Sequence, residues 1–131
     1  MKVTVDTNLL VRVAVVDDAR QAQIARKVIR EAETLAISTT CLCELVWLLR
    51  TYRMSRADIE SVLVKILHAG NVTTDWEAVA AGLAALRAGA DFADGLIAFQ
   101  GRMMGGETFV SFDRKAVSAL RKAGQAAELP T

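Results

Sequence analysis

The sequence predicts an α/β domain, with a mostly parallel central sheet covered by helices on both faces, on three observations. Short apolar runs rich in β-branched residues alternate with longer stretches of helical periodicity, and parallel neighbours need connections of that length. At 131 residues the chain has the size of one domain around a single core, spanning residues 1–131. The composition is rich in Ala, Val and Leu and poor in aromatics, and the single proline, Pro130, interrupts nothing. That favours a helix-rich fold without long loops.

Taken in order, Lys2 to Asp6 reads as the first strand and runs into Asp6, Thr7 and Asn8. One explanation of this polar ending is that Asp6 or Thr7 caps the next helix, which carries Leu9, Leu10, Val13 and Val16. Asp17 and Asp18 then precede a second helix, with Ile24, Val28 and Ile29 inward and Arg20, Arg26, Lys27 and Arg30 on a solvated face. Leu35 to Thr39 is the second strand, and Thr39 or Thr40 opens a long helix through CLCELVWLLRTYR. Ser55 and Asp58 resemble a capping box for a helix carrying Ile59, Val62, Leu63, Ile66 and Leu67, which Gly70 ends. Asn71 to Thr74 is a weak third strand, after which Asp75 caps an Ala-rich helix ending near Gly89. The segment ADGLIAFQGRMMG after Asp91 is helical until Gly105-Gly106. Thr108 to Phe112 is the most β-like stretch, Asp113 precedes a last helix through Val117 and Leu120, and a short strand follows near Ala127 to Leu129.

Several function classes are excluded. A formal net charge of +1 is not that of a basic nucleic-acid coat, so any phosphate binding must come from local charge. Cys41 and Cys43 point roughly 200° apart on a helix, which argues against a shared metal or a mutual disulfide and reads as small buried apolar residues in a reducing compartment. The chain shows no secretory signal and no apolar run of membrane-spanning length, so a cytoplasmic location is expected.

The carboxylates hold the chemistry. Glu44 lies among Leu42, Leu45, Val46, Leu48 and Leu49, where an ionised group is costly unless paired, hydrogen-bonded or metal-bound. The competing reading is a solvated stripe of Thr40, Glu44, Trp47 and Thr51. Asp91 and Asp94 are both placed to start one helix, and two caps for one helix would be redundant. Asp6 and Asp113 each follow a strand, at the end where sites of open parallel sheets form. Oxygen donors of this kind suit Mg²⁺ or Mn²⁺. The one histidine, His68, closes a helix, where a cationic side chain favours the dipole, so acid–base catalysis by histidine is not provided for.

The blocks VDTNLL, ELVW, DFADGLIA and FVSFDRKA, in that order from the first residues to near Lys122, resemble the PIN-domain nucleases and, within them, the VapC-type toxins of prokaryotic toxin–antitoxin pairs. The resemblance implies a three-layer α/β/α fold and an endoribonuclease dependent on Mg²⁺ or Mn²⁺, with Asp6, Glu44, Asp94 and Asp113 as the acidic quartet. Asp6 and Asp94 are expected to bind metal directly, with Glu44 and Asp113 holding metal-bound water or a second ion. Asn8 matches a position supporting the first Asp, Ser111 one beside the last, and Asp91 is a cap or supporting group. It further implies a cognate antitoxin, a homodimer, and products with a 5′-phosphate and a 3′-hydroxyl. Gly95 stands where relatives carry Ala, at a cost of at most about 1 kcal/mol in a helix. Arg12, Arg50, Arg53, Arg102, Arg114 and Lys115 are candidates to steer a phosphate backbone, although surface charge explains each of them, and Trp47 and Phe112 are expected to pack in the core. Two other readings are an Asp-dependent phosphotransfer domain, which would want a paired Asp motif and a nearby Lys, and an inactive interaction module of the same fold, which would have lost a carboxylate.

Overall fold

Every helix begins immediately after an Asp or a Ser, residues whose side chains satisfy the free N–H groups of a first turn. The computed structural model describes residues 1–131, and the chain forms two compact units, Met1–Thr74 and Asp75–Thr131. The first contains β1 (Lys2–Thr4), α1 (Thr7–Ala14), α2 (Ala19–Glu31), β2 (Thr34–Ala36), α3 (Thr39–Thr51), α4 (Arg56–Leu67) and β3 (Val72–Thr73). Its three strands are parallel in the order β1-β2-β3, with Val3 opposite Leu35 and Leu35 opposite Val72. Leu10, Leu35, Ile37, Leu42, Leu45, Leu49, Ile59 and Leu63 are buried, each such side chain contributing about 1.5–3 kcal/mol. Asn71 donates to the carbonyls of Ile29 and Ala32 at 2.8 and 2.9 Å, tying the start of β3 to the end of α2.

The strands are shorter than the sequence predicts at their carboxyl ends. Val5 still donates to Ala36 and Ile37 to Thr73, but Asp6 and Ser38 have already turned their side chains into caps, accepting from the N–H of Leu9 and Cys41 at 3.1 Å each. Ser38, not Thr39 or Thr40, caps α3. The inward face expected of α2 is also corrected. Ile24 is exposed, and the buried positions are Ala22 and Ala25, whose small side chains are what α2 presents to its neighbour α1. Helix α4 ends at Leu67 with His68 as its C-cap, before Gly70.

The second unit contains α5 (Trp76–Arg87), α6 (Phe92–Met103), β4 (Phe109–Val110), α7 (Arg114–Lys122) and β5 (Ala127–Glu128). The strands are parallel, with Phe109 opposite Ala127, and α7 is their crossover. Ala98, Val117, Leu120 and Ala127 form one apolar cluster, with Phe109 and Leu129 against it. Helices α5 and α6 pack at glycines: a Cβ on Gly82 would lie 2.6 Å from the Phe92 ring, and one on Gly95 would lie 2.3 Å from the Ala81 carbonyl oxygen. The glycine at position 95 is therefore required by close packing rather than being a tolerated weakness of the helix. The architecture is a mixed α/β fold with parallel strands, as expected, although hydrogen bonding sorts them into a three-stranded and a two-stranded sheet.

Candidate active site

In the first unit the carboxyl edge of the sheet opens into a cleft of about 330 Å³. Asp6 and Asn8 after β1, Ser38 after β2, and Thr40 and Glu44 on α3 line it, with Thr7 at its base. Thr7 is only 8 % exposed. Its hydroxyl donates to Glu44 Oε2 at 3.3 Å and lies 3.7 Å from Cys41 Sγ. A hydroxyl has one proton, so the two acceptors share it. This contact brings the first helix of the unit to the third and places Glu44 beside Asp6. The thiol of Cys41 registers both carboxylates: burial pushes its pKa up, the Thr7 hydroxyl opposes this, and the charges of Glu44 and Asp6 push it further up. Cys43 is raised by burial alone. Both cysteines are free; Cys41 is buried as expected, and Cys43 only partly so.

Glu44 is exposed, on the solvated stripe of Thr40, Trp47 and Thr51, so the desolvation argument for it does not apply. What marks it is the Thr7 hydroxyl, a residue that sequence reasoning passed over as a possible cap. The signal available was the adjacency of a buried Thr to Asp6. Asp6 caps α1 through Leu9, so the bland explanation is correct for one of its oxygens. A cap of this kind engages Oδ1 and does not exclude a second role for the carboxylate. Asn8 lines the cleft, while the bond that orients Asp6 comes from the Leu9 N–H.

In the second unit the other expected carboxylates also cap helices. Asp113 Oδ1 accepts from Lys115 and Ala116 at 3.0 and 3.1 Å, and Ser111 Oγ accepts from the Asp113 N–H at 3.0 Å. Asp91 and Asp94 form a reciprocal capping box at the start of α6, with the Asp91 N–H donating to Asp94 Oδ2 at 3.4 Å. Two caps on one helix are thus complementary, not redundant, since each satisfies a different N–H. Within neither unit do three or more His, Cys, Asp or Glu side chains gather into a group that could hold a metal ion. The pair that the structure does bring to one cleft is Asp6 and Glu44. Their carboxylates, with the hydroxyls of Ser38 and Thr40 in the same open cleft, are hard oxygen donors of the kind Mg²⁺ or Mn²⁺ takes when it keeps several waters. The donor chemistry fits such an ion.

Two aromatics expected in the core are outside it. Trp47 is 64 % exposed and Phe112 87 % exposed, because α3 buries its Leu42–Leu45–Leu49 face and Phe112 follows the last ladder residue of β4. Among the candidate phosphate-steering residues, Arg12 is paired with Asp17 at 3.0 Å, and Arg102 is bonded to Gln125 and lies 5.9 Å from the centre of the Phe99 ring. Arg53, Arg114 and Lys115 are exposed. No helix is long and apolar enough to cross a membrane.

The sequence model of the PIN domain family matches residues 3–122 and so runs across both units. Compared with the curated proteins and with the solved structures, the chain shows no significant match. A family match over almost the whole length, on a parallel α/β fold with carboxylates at the carboxyl ends of its strands, gives one conclusion: the chain belongs to the PIN domain family, whose members are in general nucleases acting on nucleic acid.

Proposed function

We infer that the protein is an endoribonuclease dependent on Mg²⁺ or Mn²⁺, and that it is the toxin of a toxin–antitoxin pair. The observation that carries this reading is the convergence of Asp6 and Glu44 on one cleft at the carboxyl edge of the sheet, tied together through Thr7. In the proposal Asp6 and Asp94 hold the metal, Glu44 and Asp113 orient water, and Asn8, Asp91 and Ser111 support them. When bound, the ion lowers the pKa of its water and neutralises charge at the phosphate. The chain's own contribution is positional. Leu9 N–H aims Asp6, the Thr7 hydroxyl holds Glu44, and the Ser111 hydroxyl with the first N–H groups of α7 hold Asp113. Water adds to phosphorus as the 3′-oxygen leaves and takes up a proton, giving a 5′-phosphate and a 3′-hydroxyl. A cognate antitoxin restrains a toxin homodimer in the cytoplasm. An Arg or Lys of the antitoxin, set among the carboxylates, substitutes for the ion by charge-assisted hydrogen bonds.

The test is cleavage of RNA by purified protein with Mn²⁺, with excess EDTA, and by Asp94→Asn, which keeps the size of the side chain and removes its charge. Full cleavage in EDTA refutes metal dependence. A second reading, an inactive interaction module of the same fold, would be marked by a lost carboxylate, whereas Asp6, Glu44, Asp94 and Asp113 are all present. Mn²⁺ titration by calorimetry separates the two, since a module without function in the cleft gives no binding isotherm.

A further inference from the structure

We propose that the second unit carries a binding site for a free α-amino acid with an apolar side chain, in the pocket between the end of α6, the start of β4 and the loop after α7. The inference is independent of the nuclease reading and concerns a cavity which that reading leaves unused. The pocket measures about 490 Å³, larger than the acidic cleft and within the range of small-molecule sites. Ile97, Phe109 and Val110 supply apolar walls. Ile97 and Val110 stay 55 % and 54 % exposed, leaving apolar surface for the hydrocarbon part of a ligand to cover.

Arg102 and Glu107 line the same pocket, and the turn after α6 sets them there. The Gly106 N–H donates to the Gly101 carbonyl at 2.9 Å and the Gly105 N–H to the Arg102 carbonyl at 3.0 Å, with Gly105 at a φ of 96°. The chain therefore folds back on the helix end, and Arg102 and Glu107 each stand one residue beyond the bonded glycine pair. Yet the two charges do not pair with each other. Arg102 donates through Nη1 to Gln125 and lies 5.9 Å from the centre of the Phe99 ring, which orients the guanidinium while using one of its five N–H donors. Glu107 has no hydrogen-bond or ion-pair partner within the chain. A guanidinium takes a carboxylate through parallel N–H···O bonds, and a carboxylate takes an ammonium. A zwitterion with both groups on neighbouring atoms answers both charges at once, whereas a simple anion or cation leaves one unanswered.

Gly101 points to the same pocket independently. Glycine inside a helix is weaker than Ala, and at this position neither crowding nor backbone conformation calls for it. A Cβ on Gly101 would meet nothing within 4 Å, and Gly101 is not among the glycines of positive φ. Gly95, on the same helix, is by contrast forced by its contact with Ala81. Gly101 lines the pocket, so its missing side chain leaves room for a ligand to approach the helix backbone closely.

The experiment is an NMR chemical-shift titration of the ¹⁵N-labelled full chain with L-phenylalanine, with N-acetyl-L-phenylalanine, which lacks the ammonium, and with L-phenylalaninamide, which lacks the carboxylate. L-Phenylalanine is expected to shift the amide signals of Gly101, Gly106 and Gln125 saturably, and each analogue to bind about 10-fold or more weakly, the loss of one charged hydrogen-bonded contact. Arg102→Gln should weaken L-phenylalanine by a similar factor and leave the Kd of L-phenylalaninamide unchanged. Glu107→Gln should weaken L-phenylalanine likewise and leave that of N-acetyl-L-phenylalanine unchanged. Gly101→Leu fills the pocket and should abolish binding of all three, with a Tm no lower than wild type to show that the fold is intact. The absence of saturable shifts in the pocket with millimolar L-phenylalanine or L-leucine overturns the proposal. So does L-phenylalanine binding that survives Gly101→Leu, or an Arg102→Gln variant that weakens all three probes equally.

Discussion

Replacing Gly95 by Ala sets two effects of opposite sign against each other. Helix propensity favours Ala by about 1 kcal/mol, which taken alone would make the variant the stabler protein. The packing of α6 on α5 reverses this. The added Cβ would sit 2.3 Å from the Ala81 carbonyl oxygen and 2.5 Å from the Ala85 Cβ, well inside the roughly 3.5–4.0 Å at which such atoms rest. A backbone carbonyl cannot rotate away, so the helices must part. Overpacking costs typically 1–3 kcal/mol, and with a backbone atom as the obstacle we take the upper end, about 3 kcal/mol. Subtracting the propensity gain leaves a net loss of about 2 kcal/mol, or roughly 8 °C in Tm for a chain of this size. Gly101, on the same helix with nothing within 4 Å of where a Cβ would stand, is the internal control. Gly101→Ala should gain about 0.4–1 kcal/mol and raise Tm by a few degrees. Both are read by thermal and urea denaturation of the full chain. A Gly95→Ala protein with a Tm equal to or above wild type would refute the close approach of α5 and α6.

Thr7→Val removes the hydroxyl that holds Glu44 and keeps the shape of a buried side chain, so it should cost about 1 kcal/mol of stability and lower kcat with KM little changed, while Thr7→Ser restores activity; unaltered kcat in Thr7→Val would remove Thr7 from the site. Asp6→Asn retains an oxygen for the Leu9 N–H, so the metal-free Tm should stay level or rise as carboxylate repulsion falls, whereas the roughly 2.7 kcal/mol that Mn²⁺ at 100 times its Kd gives wild type should be largely lost; equal gains would show that Asp6 is no ligand. The Cys41 and Cys43 thiols have folded pKa values above the ordinary range, chiefly through burial, so the unfolded chain loses protons first as pH rises. Their contribution to stability is intact below about pH 8.5 and declines above it, through the folded pKa values. Chemical denaturation between neutral and alkaline pH should show that decline, and Cys41→Ala should make it shallower; a slope as steep as wild type would count against the buried thiol.

By itself the sequence determined where most helices begin. Asp18, Ser55, Asp75 and Asp113 cap the helices they precede, and the alternation of short apolar strands with helices announced parallel pairing. These signals act over a few residues, because a cap reaches only its own first turn and periodicity concerns one element at a time. Tertiary structure decided everything that depends on what lies opposite. It joined Thr7 to Glu44 across 37 positions, left Trp47 and Phe112 in solvent and Ile24 at the rim of α2, turned Asp91 and Asp94 into one reciprocal cap, and made Gly95 indispensable to a helix contact. Burial and close approach are properties of pairs of elements distant in sequence, and a chain read one segment at a time does not contain the distance between them.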